Sequence, residues 1–195
     1  MKRAIFTLAA LFAALAGPAL AHTGVGPVSG LSAGFAHPIG GLDHGLAMIA
    51  VGILAAQLGG RSLWLVPAAF VAMMIVGGGL AFGHVPVPYV EQGIAGSVFI
   101  LGAVVALGRR MPLAVAMSLA GVLAVFHGHA HGAEMPATAS GLDYAIGFAA
   151  ATAMLHAVGI GLTLGVQKAG ATLAPAAVRL GGGIIAAAGV TLAAL

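Results

Sequence analysis

The chain has 195 residues, of which 61% are hydrophobic and only 6% carry a charged side chain. Soluble domains carry roughly 25% charged residues, so this composition excludes a protein whose surface faces water. The net charge of +3 is too small to indicate nucleic-acid binding, and the absence of cysteine excludes thiolate metal sites and disulfides. The 32 glycines suit helices that pack closely in a bilayer. The sequence therefore predicts an all-α, polytopic membrane protein.

The first 21 residues have the features of a signal peptide. Lys2 and Arg3 form a charged start, residues 4–15 are apolar, and residues 18–21 end in the A-x-A pattern that signal peptidase prefers. We expect cleavage after Ala21, which leaves residues 22–195 as a single transmembrane domain that begins at His22. The alternative is an uncleaved first helix, although this stretch is short for a span of about 20 residues.

Six further apolar segments follow, and we expect each of them to form a transmembrane helix. They cover residues 35–58, 63–82, 90–107, 113–126, 142–166 and 175–195. Because the fourth is short, we expect its helix to continue through the histidine-rich stretch to His131. No connection is long enough for a soluble domain, and no phosphate-binding loop is present, so the sequence does not predict an enzyme.

The basic residues of the mature chain all lie at one side of the predicted bundle. Connections 83–89 and 132–141 contain no lysine or arginine, whereas the alternate connections and the start of the last segment hold Arg61, Arg109, Arg110, Lys168 and Arg179. The positive-inside rule places these five residues in the cytoplasm. We therefore expect a multi-pass protein of a bacterial inner membrane whose mature N-terminus is periplasmic, in agreement with export by a signal peptide.

The first segment carries His37, Asp43 and His44 near its periplasmic end. A charged aspartate inside a membrane helix costs at least about 2.5 kcal/mol, which indicates a function. In a regular helix His37 and His44 would share a face but lie about 10 Å apart along the axis. Pro38 and the glycines that follow it can loosen the helix and bring the ligands together. Imidazole and carboxylate suit nickel, cobalt or zinc; the alternatives are a proton-carrying role and an Asp–His pair that joins helices.

The fourth segment ends in a histidine-rich stretch. His127 and His131 are four residues apart and share one face of a continued helix, a common chelating arrangement, whereas His129 points to another side. Glu134 can join the first two if the chain turns after Gly132. The alternative is a solvated histidine-rich loop that binds metal loosely.

Four isolated polar residues are further candidates. A freed His22 offers an α-amine and an imidazole that together can chelate a metal, and a disordered tail is the alternative. His156 lies past the middle of the fifth segment, while Glu91 and Asp143 begin the third and fifth. Each can be a transit ligand or a hydrogen-bonding contact between helices. The two acids can also simply favour the positive end of a helix dipole.

With these motifs the chain resembles the HupE/UreJ family of nickel and cobalt permeases. The first segment carries the family's H-x5-D-H pattern as His37, Asp43 and His44. The fourth carries an F-H-G-x-A-H-type pattern, formed by Phe126, His127, Gly128, Ala130 and His131 and followed by Gly132 and Glu134. His129 occupies the variable position of that pattern. The signal peptide, the mature N-terminal histidine, the length and the helix count agree with the family as well.

The resemblance implies a secondary permease that imports Ni²⁺, or Co²⁺, without a prosthetic group. The metal would supply hydrogenase, urease or the cobalamin pathway. The expected ligands are His37, Asp43, His44, His127, His131, Glu134 and His22, with His129, His156, Glu91 and Asp143 as further candidates. One rival hypothesis is a membrane-anchored metallochaperone that serves nickel-enzyme maturation without transport. A second is a proton-conducting or metal-dependent membrane enzyme.

Overall fold

The computed structural model describes residues 30–135, 140–170 and 172–194. These residues form seven helices and no strand: α1 (Gly30–Gly40), α2 (Leu42–Leu58), α3 (Ser62–Phe82), α4 (Val90–Leu107), α5 (Leu113–Ala133), α6 (Gly141–Ala169) and α7 (Ala174–Ala193). The last five are long and apolar enough to cross a membrane, and the bent pair of α1 and α2 meets the same criteria when it is counted as one broken span. The predicted all-α, polytopic fold is confirmed. The predicted signal peptide and His22 lie outside the described residues.

The first span is broken rather than merely loosened. α1 and α2 meet at an angle of 82° on either side of Gly41, whose backbone is extended (φ −93°, ψ 117°). Pro38 lies in the last turn of α1, and α2 begins with a hydrogen bond from the Gly45 amide to the Gly41 carbonyl (2.9 Å). Since the bend falls between His37 and His44, the axial separation expected of a regular helix no longer applies.

The fourth predicted segment continues as a helix to Ala133, as its short apolar core led us to expect. His127 and His131 lie on its buried face, so a solvated loop is excluded for this stretch. The other predicted spans agree with the observed helices within a few residues. Large apolar side chains such as Trp64, Leu142 and Leu180 remain exposed on the outside of the bundle, where lipid would contact them.

Reciprocal glycines join the broken first span to α6. A methyl group added at Gly52 of α2 would collide with the His156 carbonyl oxygen of α6, and one added at Gly159 would collide with the Ile49 carbonyl oxygen. α1 and α6 pack in the same way: a methyl group added at Gly34 would collide with the Tyr144 carbonyl, and one added at Gly147 would collide with the Leu31 carbonyl. Small residues let the two backbones touch, which is how membrane helices gain packing energy.

Two further helix pairs use the same device. Between α3 and α5, Gly77 faces the Val125 carbonyl oxygen and Gly128 faces that of Met74. Between α4 and α7, Gly102 and Gly182 face each other's backbone. We call these contacts glycine seams. They group the six spans into three pairs: the broken span with α6, α3 with α5, and α4 with α7.

Candidate metal site

Four histidines from the broken span and from α5 lie together, and three of them are buried. The ring of His131 contacts those of His37 and His44, with centroids 4.5 Å and 4.2 Å away, and His44 contacts His127 at 4.7 Å. His44, His127 and His131 are buried. We call these four residues the histidine cluster. The break at Gly41 thus brings His37 and His44 to a common neighbour, His131.

A carboxylate lies beside the outer part of the histidine cluster. His37 Nε2 donates to Glu134 Oε2 at 3.1 Å, and one potential ligand atom each from His37, His131 and Glu134 lies within 4.8 Å of the other two. Glu134 directly follows α5, which continues through Gly132 and ends at Ala133. Its side chain is 55% exposed, whereas His131 is buried, so the three groups run from the surface to the interior. Within the described part of the chain, this is the one group of three such residues.

The inner part of the cluster consists of two histidines, each oriented by a polar partner. His44 Nδ1 donates to Asp43 Oδ1 at 2.7 Å, and the His44 backbone amide donates to the same oxygen at 2.7 Å. On the facing helix, His127 Nε2 lies 2.7 Å from Ser97 Oγ in α4. Metal-binding histidines typically use one ring nitrogen in this way and leave the other free for the ion.

Several ring nitrogens of the buried histidines lack partners. His44 Nε2, His127 Nδ1 and both nitrogens of His131 are inaccessible and make no hydrogen bond within the described residues. An unsatisfied buried polar group costs about 1–3 kcal/mol, and such groups are rare in proteins without a functional reason. A cation that accepted these lone pairs would offset the cost, so the chemistry of the cluster fits a divalent transition metal.

His156 lies apart from the cluster, in the middle of α6. It is 1% exposed, and neither of its ring nitrogens has a hydrogen-bond partner among the described residues. The fully buried ring of Phe70 contacts both His127 and His156, with centroid distances of 5.7 Å and 5.2 Å. The apolar ring of Phe70 therefore contacts both the histidine cluster, through His127, and the separate His156.

The structure does not bring three of the sequence candidates to the cluster. His129 points away and donates from Nε2 to the Val85 carbonyl oxygen at 3.1 Å. Glu91 is exposed in the first turn of α4. Asp143 is exposed in the first turn of α6, where its backbone amide donates to Ser140 Oγ at 3.4 Å. For both acids this position agrees with the helix-dipole alternative.

Sequence reasoning missed three neighbours of the cluster. Ser97 binds His127, Phe70 contacts His127 and His156, and the Tyr144 ring lies 6.2 Å from that of His37. The Tyr144 hydroxyl is buried without a hydrogen-bond partner in the described chain. Serine, phenylalanine and tyrosine are common in membrane helices, so their types alone carried no signal. A search for hydroxyl groups inside apolar segments would have found Ser97.

The sequence was also compared with known proteins. It matches the family described as HupE / UreJ protein over residues 9–192. It is 47% identical over 182 residues to Protein HupE of Rhizobium leguminosarum bv. viciae, and the alignment covers 92% of this chain and 93% of that relative. No solved structure matches. The matched range contains every residue of the histidine cluster.

Proposed function

The chain belongs to the HupE/UreJ family, and from that premise we propose that it is a secondary permease for a divalent transition metal, nickel or cobalt. The family is associated with nickel and cobalt uptake for hydrogenase or urease. The observation that supports this function best is the histidine cluster, in which four buried ring nitrogens lack partners among the described residues and which lies beside the exposed carboxylate of Glu134.

Ion entry begins at Glu134 in this proposal. An exposed carboxylate attracts a hydrated cation, and His37 and His131 stand close enough to replace part of its water shell. His131 also contacts His44, so the ion can exchange ligands one at a time as it moves inward. A path of several partial sites keeps each binding step weak enough for release.

The next stage is the pair of His44 and His127. Asp43 holds the His44 ring through a 2.7 Å hydrogen bond, so we assign the aspartate to orientation and charge balance. Beyond it the ion would pass Phe70 to reach His156, the deeper ligand. The same nitrogen and oxygen ligands can bind both Ni²⁺ and Co²⁺, which agrees with a permease that serves either metal.

The direction of transport rests on the charge distribution. We propose that residues 1–21 form a cleaved signal peptide, and that the mature N-terminus and the histidine cluster lie on the periplasmic side of a bacterial inner membrane. His22 would then assist ion capture at the outer mouth. An inside-negative potential contributes about 2.3 kcal/mol per elementary charge per 100 mV, so a dication is drawn inward without ATP. The imported metal would supply hydrogenase, urease or cobalamin synthesis.

The experiment measures Ni²⁺ and Co²⁺ uptake into proteoliposomes that contain the purified protein, under an inside-negative potential. We expect saturable uptake that a His44→Ala, His131→Ala double variant abolishes. His129→Ala is the matched control, because it removes an imidazole from the same helix as His131 without touching the cluster. Metal binding without uptake would overturn the permease proposal and support the metallochaperone instead.

A further inference from the structure

The hydroxyl group of Ser97 lies between two hydrogen-bond partners. Ser97 Oγ is 2.7 Å from the Ile94 carbonyl oxygen, one turn back in α4, and 2.7 Å from His127 Nε2. The carbonyl oxygen can only accept, so the single hydroxyl proton satisfies it. The lone pairs of Ser97 Oγ then remain to accept a hydrogen bond from an N–H at His127 Nε2.

This arrangement determines where the neutral His127 ring carries its proton. With the proton on Nε2, both hydrogen bonds of Ser97 form, and Nδ1 presents a bare lone pair. With the proton on Nδ1, that N–H would be a buried donor, and the described residues offer it no acceptor. The His127 ring is fully buried, so water gives no competing partner.

Resting on the proposed function, we propose that Ser97 is a positioning residue that fixes His127 in the Nε2–H tautomer and makes Nδ1 the atom that binds the transported metal. Asp43 does the complementary task for His44, whose Nδ1 is the donor and whose Nε2 is free. The two facing rings thus offer different nitrogens, each selected by a hydrogen bond on its far side.

The first test is metal-free and reads the tautomer directly. Long-range ¹H–¹⁵N spectra of histidine-labelled protein in nanodiscs, assigned with a His127→Gln variant, distinguish protonated from bare ring nitrogens. We expect a protonated Nε2 and a bare Nδ1 for His127, and loss of this pattern in Ser97→Ala. The matched control is Thr163→Val, which removes a buried hydroxyl that donates to the Gly159 carbonyl oxygen at 2.9 Å and contacts no histidine. A protonated Nδ1 in the unmodified protein, or an unchanged pattern in Ser97→Ala, would overturn the proposal.

The second test is Ni²⁺ affinity, measured by calorimetry on the same preparations. Loss of a hydrogen bond that orients a ligand typically lowers metal affinity 10–100-fold, so we expect a decrease of about that size in Ser97→Ala and none in Thr163→Val. Equal affinities in the two variants would overturn the positioning role. The two proposals can be distinguished. If His127 has the expected tautomer but the protein moves no metal, the permease proposal is wrong. If the protein transports metal but His127 has the other tautomer, only the proposed role of Ser97 is wrong.

A separate cavity at the opposite end of the bundle carries a second inference. It has a volume of about 280 Å³ and lies between the ends of α2, α4 and α6 and the start of α7. Arg109, Arg110 and Arg179 line it, together with the amide side chains of Gln57 and Gln167. None of these arginines forms an ion pair within the described part of the chain.

The four acidic residues cannot neutralise this cavity. Asp43, Glu91 and Asp143 begin α2, α4 and α6, and Glu134 follows α5, so each stands a full helix length from the arginines. The shortest of these helices has 17 residues, which corresponds to about 25 Å. Three arginines line this one cavity, and the guanidinium group is the side chain best suited to bind a phosphate group.

We infer that this cavity binds the phosphate of an anionic phospholipid headgroup, which inter-helix basic pockets of membrane proteins commonly accept. The test follows thermal unfolding of the purified protein in neutral detergent with phosphatidylglycerol, phosphatidylcholine or inorganic phosphate. We expect phosphatidylglycerol to raise the midpoint by roughly 5 °C, and phosphatidylcholine to leave it unchanged.

An Arg109→Gln, Arg110→Gln, Arg179→Gln variant should lose the shift. Arg61→Gln, Lys168→Gln should keep it, because these basic residues lie at the same end of the bundle but outside the cavity. Equal loss in both variants would show a general charge effect and overturn the site. The same shift with inorganic phosphate alone would overturn the assignment to lipid.

Discussion

At the scale of single residues, our proposal distinguishes side chains that bind the metal from side chains that orient those ligands. Glu134 belongs to the first group: it is exposed, carries the outermost charge and contacts His37. Asp43 and Ser97 belong to the second, because each is engaged with the far nitrogen of a histidine ring. This division predicts different kinetic consequences for two carboxylates that look alike in the sequence.

We expect Glu134→Gln to weaken ion capture. The amide keeps the shape and a hydrogen-bond acceptor but loses the charge, and a charged contact is worth about 1.5 kcal/mol, which corresponds to roughly tenfold in KM for Ni²⁺ uptake. The maximal rate should fall much less, since the later ligands are unchanged. Initial rates of uptake at varied Ni²⁺ separate the two parameters, and an unchanged KM would contradict an entry role.

The sequence predicted most of the cluster because the spacing of its histidines is informative. His127 and His131, four residues apart, had to share a helix face, and the short apolar core required the helix to reach them. The hydrogen bond from His44 to Asp43 depends on side-chain rotamers, which spacing does not determine. The contact between His127 and Ser97 joins α5 to α4, and no local pattern reports such a pairing.

At the scale of helices, the break in the first span is the feature on which the cluster depends. A methyl group added at Gly41 would lie 2.9 Å from Asp43 Oδ1 and 3.1 Å from His44 Nδ1, the two atoms that hold the His44 ring. A methyl group at the neighbouring Gly40 would meet no atom of the described residues within 4 Å. These adjacent glycines provide a matched pair of variants.

We expect Gly41→Ala to lower Ni²⁺ affinity roughly tenfold or more, because the added carbon displaces the Asp43–His44 pair. Gly40→Ala should bind Ni²⁺ like the unmodified protein. Calorimetric titration of both purified variants measures this difference. Equal affinities would show that the junction tolerates the added group and that the orientation of His44 does not depend on it.

The glycine seams predict a second contrast, this time in stability. Gly159 of α6 packs against the Ile49 carbonyl. A methyl group added at Gly161, two residues later, would have no neighbour within 4 Å in the part of the chain that the structure describes. We expect Gly159→Ala to destabilise the protein by about 1–3 kcal/mol through overpacking. Gly161→Ala should have little effect or stabilise slightly, since alanine favours a helix. Thermal unfolding in detergent measures both variants, and equal midpoints would contradict the seam.

The helices themselves could be predicted because apolar length determines a membrane span. The sharp break could not be predicted as such, because proline and glycine permit a range of distortions from a gentle kink to a full interruption. Which distortion forms depends on how the helix packs against its neighbour. Here α6 accepts both halves of the broken span along a single surface, through Gly147 and Gly159.

At the scale of the whole molecule, the two ends of the bundle differ in chemistry. Carboxylates and most histidines lie at one end, and the basic residues of the helical domain lie at the other. The positive-inside rule predicts that the basic end faces the cytoplasm. The chain contains no cysteine, so single introduced cysteines report orientation without background.

We expect Val85→Cys to react with a membrane-impermeant maleimide added to intact cells, because it lies in the connection at the histidine-rich end. Lys168→Cys, at the basic end, should react only after the inner membrane is permeabilised. Labelling is read by a mass shift on the purified protein. The reverse pattern would place the histidine cluster on the cytoplasmic side and require export rather than import.

The glycine seams also bear on how an ion could leave the cluster. His37 and His44 belong to the pair formed by the broken span and α6, whereas His127, His131 and Glu134 belong to or follow the pair of α3 and α5. Because backbones pack in direct contact within each pair, we expect the bundle to deform between the two pairs rather than within them. A small displacement of one pair relative to the other would separate His37 and His44 from His127, His131 and Glu134. We expect neither incomplete set of ligands to retain a divalent cation. In the proposed permease, we therefore expect the metal to be released when these two helix pairs move apart, with His156 on the pair that carries His44.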